Sequence, residues 1–181
     1  MRSPAVFLDR DGTLVEEVNF LSRVEDLRVF PYSVQAVCSL KEHGFKVFVV
    51  TNQSGIARRK FAEPAMHSIH LEIQNQLGGL IDAFYYCPHL PDAGCRCRKP
   101  DTGMIEAAAR DYDIDLAKSW MVGDKKLDVE TGKNALLRTA LVLTGYGAAH
   151  RATLEFEPDI ITTDLGDAVT QICLGTAEVV V

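Results

Sequence analysis

At 181 residues, with 47% hydrophobic side chains and mixed charges, the chain can bury a substantial core, which excludes disordered and fibrous classes. A formal charge of -6 opposes nonspecific attraction to nucleic acid or anionic membranes, so a small soluble substrate is the expected partner. No apolar run approaches the roughly 20 residues that span a bilayer, and Met1-Arg2-Ser3-Pro4 leads straight into a strand pattern without a cleavable signal, so the cytoplasm is the expected compartment.

In chain order, Val6 to Asp9 reads as a short apolar strand. Pro31 and Ser33 suit the entry of a helix carrying Val34, Val37, Cys38 and Lys41 to a stop at Gly44. Lys46 to Asn52 is a second strand; Pro64 then opens a helix with Met66, Ile69, Ile73 and Leu77 before Gly78-Gly79. Ala83 to Cys87, Trp120 to Asp124 and Thr139 to Thr144 are further strands, with a helix over Met104 to Arg110. A last strand (Asp159 to Thr162) and helix (Leu165 to Leu174) complete the pattern. Strands alternating with helices argue for an α/β fold, Rossmann-like, with a mostly parallel sheet covered on both faces. No repeat or linker marks a boundary, so one domain over residues 1–181 is expected. The intervals Gly12 to Thr51 and Thr51 to Cys87 leave no room for an inserted cap domain, which implies an open, shallow pocket. No heptad pattern or unpartnered apolar helix stripe is evident, so a monomer is expected.

Ligands of such sheets bind beyond the carboxyl ends of the strands. Asp9/Asp11, Thr51-Asn52, Cys87/His89 and Asp124 all fall there. In an extended chain Asp9 and Asp11 project the same way while Arg10 points elsewhere, and Gly12 lets the backbone turn beneath them. The pair reads either as a strand-end turn or as two acids for phosphoryl transfer. In the second reading Asp9 attacks phosphorus, and Asp11 protonates the leaving oxygen and later deprotonates water. Two nearby carboxylates cannot both stay ionised cheaply, which favours a proton on Asp11. An anionic phosphate beside them calls for a divalent cation, and Mg²⁺ would take Asp9, a backbone carbonyl near Asp11 and a third carboxylate. Asp124 supplies that carboxylate or, alternatively, caps a helix; Asp128, four residues on, reads as supporting structure.

Thr51-Asn52-Gln53-Ser54-Gly55 is either a phosphate cradle or a polar turn. In Arg98-Lys99-Pro100, Lys99 can neutralise the aspartyl phosphate while Arg98 holds another part of the substrate, the alternative being an exposed basic pair. Cys87, His89, Cys95 and Cys97 crowd one polar loop and match the three thiolates and one imidazole of a closed structural Zn²⁺ site, which would fix the loop that aims Arg98 and Lys99. Cys38 and Cys173 read as core residues, and His43, His67, His70 and His150 as surface or packing residues.

Asp9-Arg10-Asp11-Gly12-Thr13, Thr51-Asn52-Gln53-Ser54-Gly55, Arg98-Lys99-Pro100 and Gly123-Asp124 stand in the order of the four signature motifs of the haloacid dehalogenase-like phosphatases, and the chain resembles a cap-less member of that superfamily. Thr51 to Arg58, Tyr86-Cys87-Pro88-His89 and Met121 to Lys125 resemble its heptose-bisphosphate phosphatases, enzymes of bacterial heptose biosynthesis. The resemblance implies Asp9 as nucleophile and Asp11 as general acid/base. It implies Mg²⁺ on Asp9, Asp124 and the Asp11 backbone, and Zn²⁺ on Cys87, His89, Cys95 and Cys97. Thr51, Asn52, Gln53, Ser54 and Lys99 would take the transferring phosphate of a small phosphorylated sugar. Glu17 to Phe20, Arg98 and Lys125 would line the sugar or its second phosphate, with Arg58 also suited to an anion. The short His89-to-Cys95 segment resembles instead the related histidinol-phosphate phosphatases, whereas Ser54 to Arg58 is closer to the heptose branch. Two further readings are a phosphatase of nucleic-acid 3′ ends, which the acidic balance disfavours, and a catalytically silent zinc-stabilised module, which the filled catalytic positions disfavour.

Overall fold

Six strands, β1 (Ala5–Leu8), β2 (Lys46–Asn52), β3 (Ala83–Cys87), β4 (Trp120–Gly123), β5 (Arg138–Val142) and β6 (Ile160–Thr162), form one parallel sheet in the order β3-β2-β1-β4-β5-β6. This is a computed structural model, and it describes residues 2–177. The helices are α1 (Ser33–Glu42), α2 (Glu63–Gln76), α3 (Gly103–Asp111), α4 (Lys126–Asn134), α5 (Gly147–Arg151) and α6 (Leu165–Ala177).

Strand side chains alternate between two apolar layers. Val6, Leu8, Val47, Val49 and Val122 pack on one face with α1, α2 and α6 residues such as Val37, Ile69, Ile73 and Ile172. Ala5, Phe7, Phe48, Val50 and Met121 pack on the other with Met104, Ile105 and Ala108 of α3. The strands are therefore apolar on both faces, as a doubly covered parallel sheet requires. Burying each such side chain contributes roughly 1.5–3 kcal/mol. No helix among the described residues is long and apolar enough to cross a membrane.

The expected single α/β domain and both-faced sheet are borne out, with local differences at element ends. Strand β1 stops at Leu8, because the Arg10 carbonyl accepts from the amides of Leu14 and Val15 at 3.0 and 3.1 Å and curls residues 10–15 into a turn. Strand β5 stops at Val142, and Thr144 accepts from the Gly147 amide to start α5, an element with no helical repeat to announce it. Ser33 does not cap α1; its hydroxyl donates to the Leu14 carbonyl at 2.8 Å and ties the helix to the β1 loop. Cys173 is buried as expected, whereas Cys38 is only half-buried, with its thiol facing Glu42.

Candidate active site

The carboxyl ends of β1, β2 and β4 converge on a cleft of about 210 Å³. Asp9 follows β1 directly, its amide donating to the Val122 carbonyl of β4 at 2.9 Å, so sheet hydrogen bonding carries it to the rim. Lys99 arrives from the loop before α3. Asn52 at the end of β2 grips that loop reciprocally: its Nδ2 donates to the Lys99 carbonyl at 3.1 Å and its Oδ1 accepts from the Lys99 amide at 3.0 Å. The buried ammonium then donates to Asp9 Oδ1 at 2.7 Å, Asp128 Oδ1 at 2.6 Å and the Val50 carbonyl at 2.9 Å. Burial opposes the charge on Lys99, but Asp128 and Asp9 outweigh it and hold its pKa above the ordinary range. Burial likewise opposes ionisation of Asp9, and the Lys99 and Lys125 ammonium groups reverse that and hold its carboxyl below the usual range.

Asp128 is thus the central partner of Lys99, a role that spacing alone does not reveal. It also accepts from the Lys125 amide at 3.0 Å and caps the first turn of α4. Its close approach needs Gly123, where a Cβ would lie 2.2 Å from Asp128 Oδ2. His150 finishes that helix start, its Nδ1 accepting from the Lys126 amide at 3.0 Å, so Asp124 is left out of the cap.

Asp124 has no exposed surface, and its Oδ2 accepts from the Tyr146 amide at 2.8 Å. Its Oδ1 is buried without a hydrogen bond. Burial first, and Asp9 second, push this carboxyl up to about 8. The Lys125 ammonium lies 3.3 Å from that Oδ1, 3.7 Å from Asp9 Oδ2 and 3.4 Å from the Asp11 carbonyl. A positive group therefore stands where two carboxylates and one backbone oxygen meet, an all-oxygen donor set that fits Mg²⁺. The backbone around it is cut to size: Cβ atoms at Gly12 (φ 86°) or Gly145 (φ 53°) would lie 2.3 Å from Asp124 Oδ2.

The Asp11 side chain departs from the expectation. Because β1 ends at Leu8, strand alternation does not extend to residues 9–11, and Arg10 turns back instead of pointing away. Its Nε donates to both Asp11 carboxylate oxygens at 3.1 and 3.0 Å, and Nη2 lies 2.8 Å from Oδ2. Gln53 Nε2 donates to Asp11 Oδ2 at 3.1 Å and to Thr51 Oγ1 at 2.8 Å. Cations face both aspartates, Lys99 and Lys125 on Asp9 and Arg10 on Asp11.

Glu17, Phe20, Thr51, Asn52, Gln53, Ser54, Arg98, Lys99 and Lys125 all line the cleft. Glu17 Oε2 accepts from Lys125 at 3.1 Å, and burial raises its pKa against the pull of that ammonium. Phe20 adopts φ 55° and packs near Gly55. Arg98 donates to the His89 carbonyl at 3.2 Å, tying it to the cysteine loop. Arg58 is exposed and lies outside the cleft lining, because residues 54–60 curl into a tight turn in which the Arg58 amide donates to the Ser54 carbonyl. Arg10, Leu21 and Leu127 line the cleft without having been given a place in it from the sequence.

Beside the cleft, Cys87, His89, Cys95 and Cys97 present donor atoms to one point. His89 Nδ1 lies 3.5 Å from Cys87 Sγ and 3.2 Å from Cys97 Sγ, and the Cys87–Cys95 and Cys95–Cys97 sulfur separations are both 3.6 Å. A tetrahedral Zn²⁺ with bonds of about 2.3 Å to sulfur and 2.0–2.1 Å to nitrogen needs donor separations of about 3.5–3.8 Å. The donor set fits that ion.

Comparison with known proteins agrees with this arrangement. The HAD-hydrolase-like family model matches residues 96–168. A D-glycero-D-manno-heptose-1,7-bisphosphate 7-phosphatase of Thermosynechococcus vestitus is 41% identical, the match covering 98% of this chain and 99% of that one. A D-glycero-beta-D-manno-heptose-1,7-bisphosphate 7-phosphatase of Haemophilus ducreyi is 36% identical, covering 95% and 100%. The crystal structure of D,D-heptose 1,7-bisphosphate phosphatase from B. bronchiseptica, complexed with magnesium and phosphate, superposes with a TM-score of 0.88 at 34% identity, covering 95% of this chain and 99% of that one. These names side with the Ser54-to-Arg58 run over the short cysteine loop as the better pointer to substrate.

Proposed function

The chain belongs to the D-glycero-D-manno-heptose-1,7-bisphosphate 7-phosphatases among the HAD-like hydrolases, and from that premise we propose that it removes the 7-phosphate of this heptose bisphosphate through an aspartyl phosphate. The observation that carries the mechanism is the buried Asp9 carboxylate, charged and aimed by Lys99 at 2.7 Å, facing an open cleft.

Asp9 attacks phosphorus, forming a carboxyl O–P bond while the bond from phosphorus to the sugar oxygen breaks. Asp11 delivers its proton to that leaving oxygen, then takes one from the water that attacks the aspartyl phosphate and releases inorganic phosphate. Lys99 neutralises charge on Asp9 and on the phosphoryl oxygens, and Thr51, Asn52, Gln53 and Ser54 contribute donors at the end of β2. Arg98 and Lys125 offer cations for the phosphate that stays on the sugar, with Glu17 and Phe20 lining the sugar. Asp9, Asp124 and the Asp11 carbonyl would hold Mg²⁺, which supplies countercharge for the anionic phosphate. Cys87, His89, Cys95 and Cys97 would hold a structural Zn²⁺ that orders residues 87–99. The same reading takes residues 1–181 as one phosphatase domain acting as a cytoplasmic monomer, without nucleic acid.

The test is phosphate release with Mg²⁺ from heptose 1,7-bisphosphate and from histidinol phosphate in parallel, with Asp9→Asn as the blank. A higher kcat/KM for the bisphosphate is expected. Preference for histidinol phosphate would overturn the substrate, and full activity of Asp9→Asn would overturn the covalent mechanism.

A further inference from the structure

We infer that His70, remote from the reacting atoms, is a positioning residue: through Arg10 it fixes the Asp11 carboxylate for proton transfer. The inference rests on the reading of Asp11 as general acid/base given above. The Arg10 side chain is only 1% exposed although it is always charged, so each face of its guanidinium needs an acceptor. Nε and Nη2 are taken by Asp11. Nη1 lies 3.3 Å from His70 Nε2. Arginine only donates, so Nε2 accepts and the imidazole is neutral with its proton on Nδ1. The environment enforces that state: burial first, and Arg10 second, lower the His70 pKa to about 3.

The imidazole is held in place by packing. It stands on α2, 5% exposed, stacked on the Phe84 ring at 4.7 Å and 20°, with the edges of Tyr86 and His67 at 6.3 and 6.4 Å. The chain of contacts runs from a rigid helix and the edge strand β3, through one imidazole and one guanidinium, to a carboxylate at the cleft. Gln53 secures the other side of the same carboxylate. Proton transfer to a leaving oxygen requires the acid within hydrogen-bond reach, and misplacement by about 1 Å can cost on the order of 100-fold. An apolar side chain at position 70 leaves Nη1 buried without an acceptor, and the guanidinium must move to find one, taking Asp11 with it.

The experiment compares kcat/KM, which reports steps up to formation of the aspartyl phosphate, for a sugar phosphate and for 4-nitrophenyl phosphate, whose leaving group needs no proton. His70→Phe is expected to lose at least about 10-fold on the sugar phosphate and less than about threefold on the aryl phosphate. His70→Gln, which keeps an acceptor, is expected within about threefold of wild type on both. A merely structural role would lower both substrates equally, and that result, or no loss on either, overturns the inference. Asp11→Asn separates the two claims. If it shows no discrimination by leaving group, the assignment of Asp11 falls; if it discriminates and His70→Phe does not, only the role of His70 falls. Should His70→Phe fail to fold, His70→Leu gives the same readout. Should neither fold, the ring nitrogen resonances of wild-type His70 decide: a proton on Nδ1 and a bare Nε2 are expected, and a proton on Nε2 overturns the acceptor role.

Discussion

Replacing Lys99 by methionine keeps an unbranched apolar stem and removes a single charge that three acceptors share. Asp9 Oδ1, Asp128 Oδ1 and the Val50 carbonyl, at 2.7, 2.6 and 2.9 Å, all lose their donor, and the first two belong to buried carboxylates. Removing one partner of a buried ion pair costs about 3–5 kcal/mol, because the remaining charge stays uncompensated. At about 2–4 °C per kcal/mol for a domain of this size, the melting temperature should fall by about 6–20 °C at fixed Mg²⁺. Neutralising the partner distinguishes electrostatics from lost packing. In Lys99→Met/Asp128→Asn one of the two stranded charges is gone, so the double variant should be less destabilised than the sum of the singles by about 1.5–3 kcal/mol. Activity should not follow, since Asp9 still lacks its ammonium; both Lys99 variants should lose at least about 100-fold in kcat. Thermal unfolding and phosphate release on the four proteins provide the cycle. Strict additivity of the melting data would refute the coupled triad, and recovery of kcat in the double variant would refute the catalytic role of Lys99.

Three other outcomes follow from the same geometry. Chelation of zinc, or Cys95→Ser, should lower thermal stability and raise KM together, because Arg98 is tied to the His89 carbonyl and Lys99 lies on the same loop; unchanged KM after metal analysis confirms zinc loss would contradict the coupling. His70 should make folding acid-sensitive: its folded-state pKa of about 3 lies below the ordinary 6.5, so its contribution is fully present above pH 6.5 and is lost as pH falls toward 3, at up to about 1.4 kcal/mol per pH unit. Arg10, His67 and Tyr86 are the titratable groups that face it, and urea melts of His70→Gln between pH 6.5 and 4.5 should show a shallower slope than wild type; equal slopes would sink the assignment. Arg98→Ala should raise KM for the bisphosphate by about 10-fold while Arg58→Ala, exposed and outside the cleft lining, should leave it within about twofold; the reverse order in steady-state assays would return Arg58 to the site.

What the sequence discloses about this site depends on how local each constraint is. Strand β2 occupies the residues expected of it, Lys46–Asn52, because an apolar run ending in Thr51-Asn52 carries its own boundaries. The proposed zinc ligands are legible for a related reason: metal chemistry restricts the residue types, and four of them in one polar loop have few other uses. Arg10 resists the same treatment. The alternation rule that sends it away from Asp11 holds only while the chain stays extended, and the turn closed on the Arg10 carbonyl ends the strand two residues earlier. The position of an ion pair at a strand end therefore depends on where the turn begins, and that is decided by hydrogen bonds to residues four and five places on.

Asp128 and His70 lie further still from local inference. Each looks ordinary in sequence, an acid in the first turn of a helix and a histidine on a helix face, and each gains its role from a partner on another element: Asp128 from Lys99, 29 residues away, and His70 from Arg10, 60 residues away. In both cases the partner is a buried cation, and a buried cation must be answered wherever the fold places it. The proposed nucleophile and metal carboxylate can be read from motifs because they sit where strands end. The groups that aim them come from whatever surface the fold packs behind the motif, so they become visible only once Lys99 and Arg10 are known to be buried and their acceptors are sought one by one.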